Sequence, residues 1–365
     1  MNILHVNKYF PPWIGGVETI VAEIAQMFQS ESVLNTVLVC QKAKSSTNIE
    51  NIQGIKVMRA KTLGSILGMP ISLDFFKIFK QQTKTADIIL IHHPFPLGFI
   101  AAALYAKIKR IVVIYHADIV RQKIFAFLLK PVFIHILSQA TDIIVTSDRL
   151  AKSSPLLKPF LAKCKTMPLW IDEEKLQKTE TVQKAAEEIQ SHYSKPLLLS
   201  VGRLVTYKGY KYLIDALTKT SGHLLLIGTG PIKQNLLQQI QRNKLENRVT
   251  ILDPVESLTP YYYAADLFIL PSITNAEAFG IVQLEAMYCG CPVINTNLPT
   301  GVPDVSINNQ TGITVEPKNS DAIANAINTI LADDKKYSFY SQNTKARVVS
   351  IFSKKRSLDI LRSIL

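Results

Sequence analysis

No stretch of the 365-residue chain reaches ~18 uninterrupted apolar residues, so no membrane-crossing helix is expected. Four cysteines, Cys40, Cys164, Cys289 and Cys291, are too few to staple a disulfide scaffold. Cys289-x-Cys291 has no second ligand pair, which argues against zinc. The opening, MNILHVNKYF, lacks the apolar core of a secretory signal, and a reducing cytoplasm is the expected compartment. Low-complexity tracts and short repeats are missing. No Gly-x-Gly-x-x-Gly follows the first apolar strand, which argues against a nicotinamide-dependent dehydrogenase. Disorder, collagen and coiled coil are excluded by a composition 47% apolar and only 19% charged.

The length suits two domains, each able to bury its own core. Acidic residues are scarce in one half of the chain. Residues 1–170 carry 20 basic and 9 acidic side chains, and residues 171–365 carry 21 and 19. The net charge of +13 is therefore concentrated in the first half, which predicts an anionic partner for that half. The segment 97–137 mixes apolar residues with Lys107, Lys109, Arg110, Arg121, Lys123 and Lys130, as a helix at a membrane surface does. Core helices with snorkelling lysines carry the same pattern.

Short apolar runs at 2–6, 33–39, 55–57, 87–91, 110–115, 142–145 and 164–167 read as strands, with helical segments between several of them. One such segment is the amphipathic stretch 17–29, which follows Gly15-Gly16. Residues 168–194 break the pattern and read as a connection. It then restarts with strands at 196–201, 223–227, 248–251, 266–270, 292–295 and 312–315. This alternation predicts two parallel, doubly wound α/β sheets in tandem, ending in a basic helix over about 337–365.

Three loops at strand ends could carry chemistry. In SVGRLVTYKG, Gly202 follows a strand, and Arg203 and Lys208 can converge on a diphosphate at the carboxyl edge of the sheet. Gly228 and Gly230 form a second turn after a strand. EAFGIVQLE places Glu277 on a loop before a helix and Glu285 inside it. The backbone N–H groups around Gly280, Ile281 and Val282 are orphan helix donors suited to a phosphate. A carboxylate before such a site can accept from sugar hydroxyls, and one inside the helix can reach a ribose.

GRLVTYKG, GTGP and EAFGIVQLE, in this order and spacing, resemble the retaining glycosyltransferases of family 4. PWIGGVE, MPLWID, LEAMYCGCPVI and TGITV are similar to further segments of that family, so the resemblance covers most of the chain. It implies the GT-B fold: two Rossmann-like domains facing a cleft. The implied division is 1–168 for the acceptor and 169–344 for the nucleotide-sugar donor, with a C-terminal helix at about 345–365 packing back on the first domain. It gives Arg203 and Lys208 to the donor diphosphate, Glu285 to the ribose, Glu277 to the sugar hydroxyls, and Phe279 to the same loop. It brings Gly16 to the phosphates and His116 against the donor sugar, although Ala117 stands where many relatives have Ser. His92 and His93, at another strand end, are expected to face the cleft and help bind acceptor.

The implied activity is transfer of a hexose, with retention, from GDP-mannose or a UDP-sugar to a hydroxyl of a lipid-linked glycan in bacterial surface polysaccharide synthesis. HADIVRQK and ILSQATDIIVTSD resemble O-antigen mannosyltransferases in particular. None of the fourteen aspartates forms Asp-x-Asp, so no metal and no other cofactor is expected. The expected location is the inner face of the cytoplasmic membrane, held peripherally through the basic half. A nucleotide-sugar 2-epimerase of the same architecture is an alternative, distinguished by release of a free epimer. A non-enzymatic binder of anionic surfaces is another, but it leaves Glu277 and Glu285 unexplained. No nucleic-acid partner is expected.

Overall fold

The computed structural model describes residues 1–13, 16–29, 32–41, 46–66, 68–107, 109–119 and 123–365, without the side chains of 123–126. Two compact units emerge: Met1–Met167 with Leu358–Leu365, and Pro168–Ser357.

The first unit is built on an eight-stranded sheet. Its strands are β1 (Asn2–Val6), β2 (Leu34–Cys40), β3 (Asn48–Ile52), β4 (Ile55–Ala60), β7 (Ile88–His93), β8 (Arg110–Tyr115), β9 (Asp142–Val145) and β10 (Cys164–Thr166). The order is β10-β9-β8-β7-β1-β2-β4-β3, parallel throughout except that β3 runs antiparallel to β4. Between β4 and β7, β5 (Gly64–Ile66) and β6 (Met69–Ile71) form a small antiparallel hairpin. The central strands are continuous apolar runs because helices cover both faces, leaving no wet side. The helix Gly16–Met27 lays Ile20, Val21, Ile24 and Ala25 on the sheet at helical spacing.

The second unit carries six parallel strands in the order β13-β12-β11-β14-β15-β16. They are β11 (Leu197–Val201), β12 (His223–Ile227), β13 (Val249–Leu252), β14 (Leu267–Leu270), β15 (Val293–Thr296) and β16 (Gly312–Val315). The stretch expected to be a connection holds the helix Glu180–His192 and clusters with this unit. The expected single C-terminal helix is two, Asp334–Ile351 and Lys354–Ile364. The end of the second lies with the first sheet, where Arg110 at the start of β8 holds the carbonyls of Ile364 and Leu365.

Candidate active site

In the second sheet the chain leaves β11 outward through β12 and β13, then returns to β14 on the other side of β11. The carboxyl ends of β11 and β14 therefore flank the point where the strand order reverses, the place where open α/β sheets hold ligands. Gly202 leaves β11 with its N–H on Ile227 O (3.0 Å), and Leu204 N–H reaches Thr229 O (2.9 Å). These bonds zip the 202–205 loop onto the loop of Gly228 and Gly230. A Cβ on Gly228 would lie 2.0 Å from Gly202 O, so only glycine permits this approach.

The turn Thr206–Lys208 then directs Lys208 inward. Its Nζ lies 2.6 Å from Oε2 of Glu277, and both residues are 8% exposed. Ser272, two residues beyond β14, donates to the same oxygen at 2.8 Å. Burial opposes the charge of Lys208, but the Glu277 carboxylate and its hydrogen bond outweigh it and hold the ammonium above its ordinary pKa. Oε1 of Glu277 has no hydrogen bond among the described residues and is not sealed from solvent, so it is a ready acceptor for a hydroxyl.

Three residues on, Gly280 adopts a left-handed conformation (φ +74°) and starts the helix Ile281–Tyr288. Its N–H groups at Gly280, Ile281 and Val282 precede the first internal bond, Gln283 N–H to Gly280 O at 3.0 Å. Gln283 is buried and braces this turn from below, donating to Phe279 O at 2.7 Å. Phe279 is itself buried, with its ring against Phe352, and so anchors the loop. Glu285, one turn into the helix, accepts from Tyr262 Oη at 2.5 Å. Burial raises its carboxyl pKa and the tyrosine bond opposes that rise. Arg203 is exposed, and its guanidinium makes no bond to any described residue. The Lys208 ammonium, the Glu277 carboxylate and the Gly280 helix N-terminus thus stand together, a set able to hold an anionic diphosphate and attached hydroxyls, with the unbonded Arg203 guanidinium on the loop that leaves β11 and the Glu285 carboxylate one turn into the helix.

Two family descriptions match the chain. "Glycosyltransferase Family 4" matches residues 14–174, and "Glycosyl transferases group 1" matches residues 182–347. The chain belongs to glycosyltransferase family 4. An O-antigen chain mannosyltransferase of Escherichia coli is 26% identical over 98% of this chain and 96% of its own length. A D-rhamnosyltransferase of Pseudomonas aeruginosa is 27% identical over 97% of this chain and 92% of its own. A sucrose-phosphate synthase from Thermosynechococcus elongatus superimposes with a TM-score of 0.82 at 21% identity, covering 100% of this chain and 98% of that one. The fold is GT-B, as in these structures.

The structure brings Gly202, Lys208, Glu277 and Gly280 of the glycosyltransferase together around one strand-order reversal. The direct Lys208–Glu277 pair was not legible in the sequence. Tyr210, Tyr262 and Ser272 were missed. Tyr210 is buried with a hydroxyl that has no partner among the described residues, beside the Gly202 turn, and burial, then the nearby Glu277 charge, keep it protonated. Its signal was its place directly after Lys208-Gly209.

In the first unit, Gly16 opens its helix with free space where a Cβ would stand, while Gly15 lies outside the described residues. His116 follows β8, its N–H extending the ladder to His93 O at 3.1 Å. The expectation that His92 and His93 face the cleft and help bind acceptor is corrected. They are 0% and 1% exposed, because β7 is covered on both faces. His93 lies flat on Tyr115 with centroids 4.1 Å apart, its edges on Phe99 and Phe133, and Nδ1 donates to Ala117 O at 2.9 Å. His92 meets His116 at 3.1 Å between Nδ1 and Nε2.

Proposed function

We propose that this glycosyltransferase moves a hexose, with retention, from a nucleoside diphosphate sugar to a hydroxyl of a lipid-linked glycan in bacterial surface polysaccharide synthesis. The observation that carries the reading is the Lys208–Glu277 pair beside the Gly280 helix terminus. When a donor enters, Arg203, Lys208 and the N–H groups of Gly280, Ile281 and Val282 receive the diphosphate and stabilise the charge that develops on it as the glycosidic bond breaks. Glu277 accepts from sugar hydroxyls and Glu285 from the ribose. Gly16 and His116 are assigned to the same donor by family resemblance. With cations of its own at the phosphates, the protein needs no divalent ion. Retention follows if the leaving phosphate stays on the face that the acceptor attacks and takes its proton.

GDP-mannose is the first donor to test and a UDP-sugar the second. The mannosyl- and rhamnosyltransferase relatives support the surface-glycan setting. A relative acting on a diphospho-undecaprenol acceptor, 31% identical over half of this chain, supports a lipid-linked acceptor. A panel of nucleotide sugars, scored by thermal shift and by product formation, tests the reading. A saturating donor at a hundred times Kd stabilises by about 2.7 kcal/mol. A free epimer as the only product, or no response to any nucleotide sugar, would overturn it.

We also propose peripheral docking on an anionic membrane through the first unit. Among the described residues no helix is long and apolar enough to cross a membrane. The helix Lys123–Gln139 instead exposes Phe127 (75%) and Leu128 beside Lys130, at a depression of about 770 Å³ that includes Pro131 and Ile134. Such apolar and basic side chains together suit an anionic interface. Lys109 and Arg110, also expected to contribute, are committed elsewhere: Lys109 to Ala86 O at 2.9 Å, and Arg110 to the C-terminal carbonyls. Arg121 lies outside the described residues.

A further inference from the structure

Asn35, His5, His92 and His116 form a diagonal row across four adjacent parallel strands. Asn35 on β2 stands opposite Ile3, and His5 is two residues beyond Ile3 on β1. His5 stands opposite Leu90, and His92 is two beyond that on β7. His92 stands opposite Ile114, and His116 is two beyond that, just past β8. Residues two apart share a sheet face, so the row climbs one face and ends at its carboxyl edge.

The direction of the hydrogen bonds in this row is set by backbone groups at its far end. Gln29 receives the N–H of Asn35 on Oε1 (3.2 Å) and donates Nε2 to Gly54 O (3.0 Å), which fixes its amide. Oε1 also takes Asn35 Nδ2 (3.1 Å), so Asn35 turns Oδ1 to His5. His5 Nε2, 2.9 Å from that oxygen, must carry its proton, and His5 Nδ1 is then a bare acceptor. His5 Nδ1 and His92 Nε2 are both buried without a partner among the described residues, on neighbouring rings with centroids 6.0 Å apart and planes within 19°. A proton on His92 Nε2 gives that pair opposite roles. Neither nitrogen has a hydrogen-bond partner among the described residues, so the preference is electrostatic: a proton on His92 Nε2 sets an N–H dipole, rather than a second lone pair, on the ring beside the bare His5 Nδ1. His92 Nδ1 is then bare, and His116 Nε2–H donates to it across 3.1 Å. The planes of these two rings differ by 10° and the centroids lie 5.4 Å apart, a distance that the 3.1 Å gap plus two ring radii accounts for. They meet edge to edge in nearly one plane, as an N–H to lone-pair bond requires. Burial keeps the rings neutral, with His5 and His116 lowered to about 4 and His92 well below its ordinary value, so each carries a single proton whose place has meaning.

We propose that His92, held by His5 and Asn35, is a positioning residue that fixes His116 as the Nε2–H tautomer, so that His116 presents a bare Nδ1 as acceptor for a substrate hydroxyl. Nδ1 of His116 has no partner among the described residues and is not among the sealed atoms. The proposal rests on the assignment of His116 to the donor sugar.

The test is long-range proton–nitrogen NMR of the full, 15N-labelled chain, with the His116 signals identified by their loss in His116→Gln. The expected wild-type pattern is a protonated Nε2 and a bare Nδ1, and the opposite pattern overturns the proposal whatever the variants do. His92→Phe removes the acceptor and should move proton density to Nδ1 of His116. It should lower kcat/KM about tenfold, the scale of one hydrogen bond. Binding of the nucleoside diphosphate alone should be unchanged. His92→Asn, which offers Oδ1 in place of Nδ1, should recover the tautomer and most of the rate. An unchanged rate in folded His92→Phe, or no recovery in His92→Asn, would refute the positioning role. An unchanged rate in His116→Gln would instead remove His116 from the substrate, and the tautomer result would stand.

Discussion

Acidification from pH 7 to pH 5 should weaken the first unit severely, and the four buried imidazoles set the size of the effect. Burial lowers His5 and His116 to about 4, His93 to about 3, and His92 well below the usual 6.5. In the folded unit these rings are neutral at pH 5, whereas in the unfolded chain each takes up a proton near 6.5. The unfolded state therefore binds more protons, and the stability present above pH 6.5 falls as pH drops toward 4. Each proton removes about 1.4 kcal/mol per pH unit, or about 2 kcal/mol per ring between 6.5 and 5. His5, His93 and His116 together contribute a loss of about 6 kcal/mol, and His92 adds in the same direction. That is comparable to the whole stability of many domains. Asp142, whose carboxyl is depressed by Lys165 and Arg110 against the cost of burial, loses its contribution only at lower pH. Urea unfolding at pH 7 and pH 5 measures the difference. His93→Phe, set among Tyr115, Phe99 and Phe133, serves as the internal standard. Whatever it does at pH 7, it removes one titrating ring and should shrink the pH difference by about 2 kcal/mol. A first-unit transition with the same midpoint at both pH values would refute the reasoning.

Glu277→Gln should keep partners for Lys208 and Ser272, so the protein should fold and lose about 10²-fold or more in turnover. Glu277→Ala should also destabilise the second unit by about 3–5 kcal/mol, because it leaves the buried Lys208 ammonium alone. Melting curves and product formation separate the two, and a normal rate in folded Glu277→Gln would remove the residue from the site. Transfer should persist in excess EDTA, and a loss restored by magnesium or manganese would show that Arg203 and Lys208 do not replace an ion. Phe127→Ser with Leu128→Ser should weaken co-sedimentation with anionic vesicles, each side chain contributing up to about 2 kcal/mol of apolar burial, while donor-induced thermal shift stays the same. Wild-type binding that ignores vesicle charge and salt would count against docking.

The strand–helix alternation, the glycine turns and the EAFGIVQLE segment were legible from the chain because each is a local pattern, set within ten or so neighbouring residues. The expected parallel strands appear with ends shifted by at most three residues, the largest shift at β4. The antiparallel edge strand β3 was missed because NIENI is polar and short, although Gln53 and Gly54 at positive φ form the tight turn that joins it to β4. Which local pieces meet was decided only by the sheets. Lys208 and Glu277 lie 69 positions apart and touch because β14 returns beside β11. Lys109 and Arg110 looked like free surface cations, but packing gave them backbone carbonyls. His92 and His93 were expected to face a cleft because they end a strand, yet that strand is covered on both faces and they are buried. The row from Asn35 to His116 exists only through the register of four strands, since a hydrogen-bond direction passes between residues that share a sheet face, however far apart they stand along the chain.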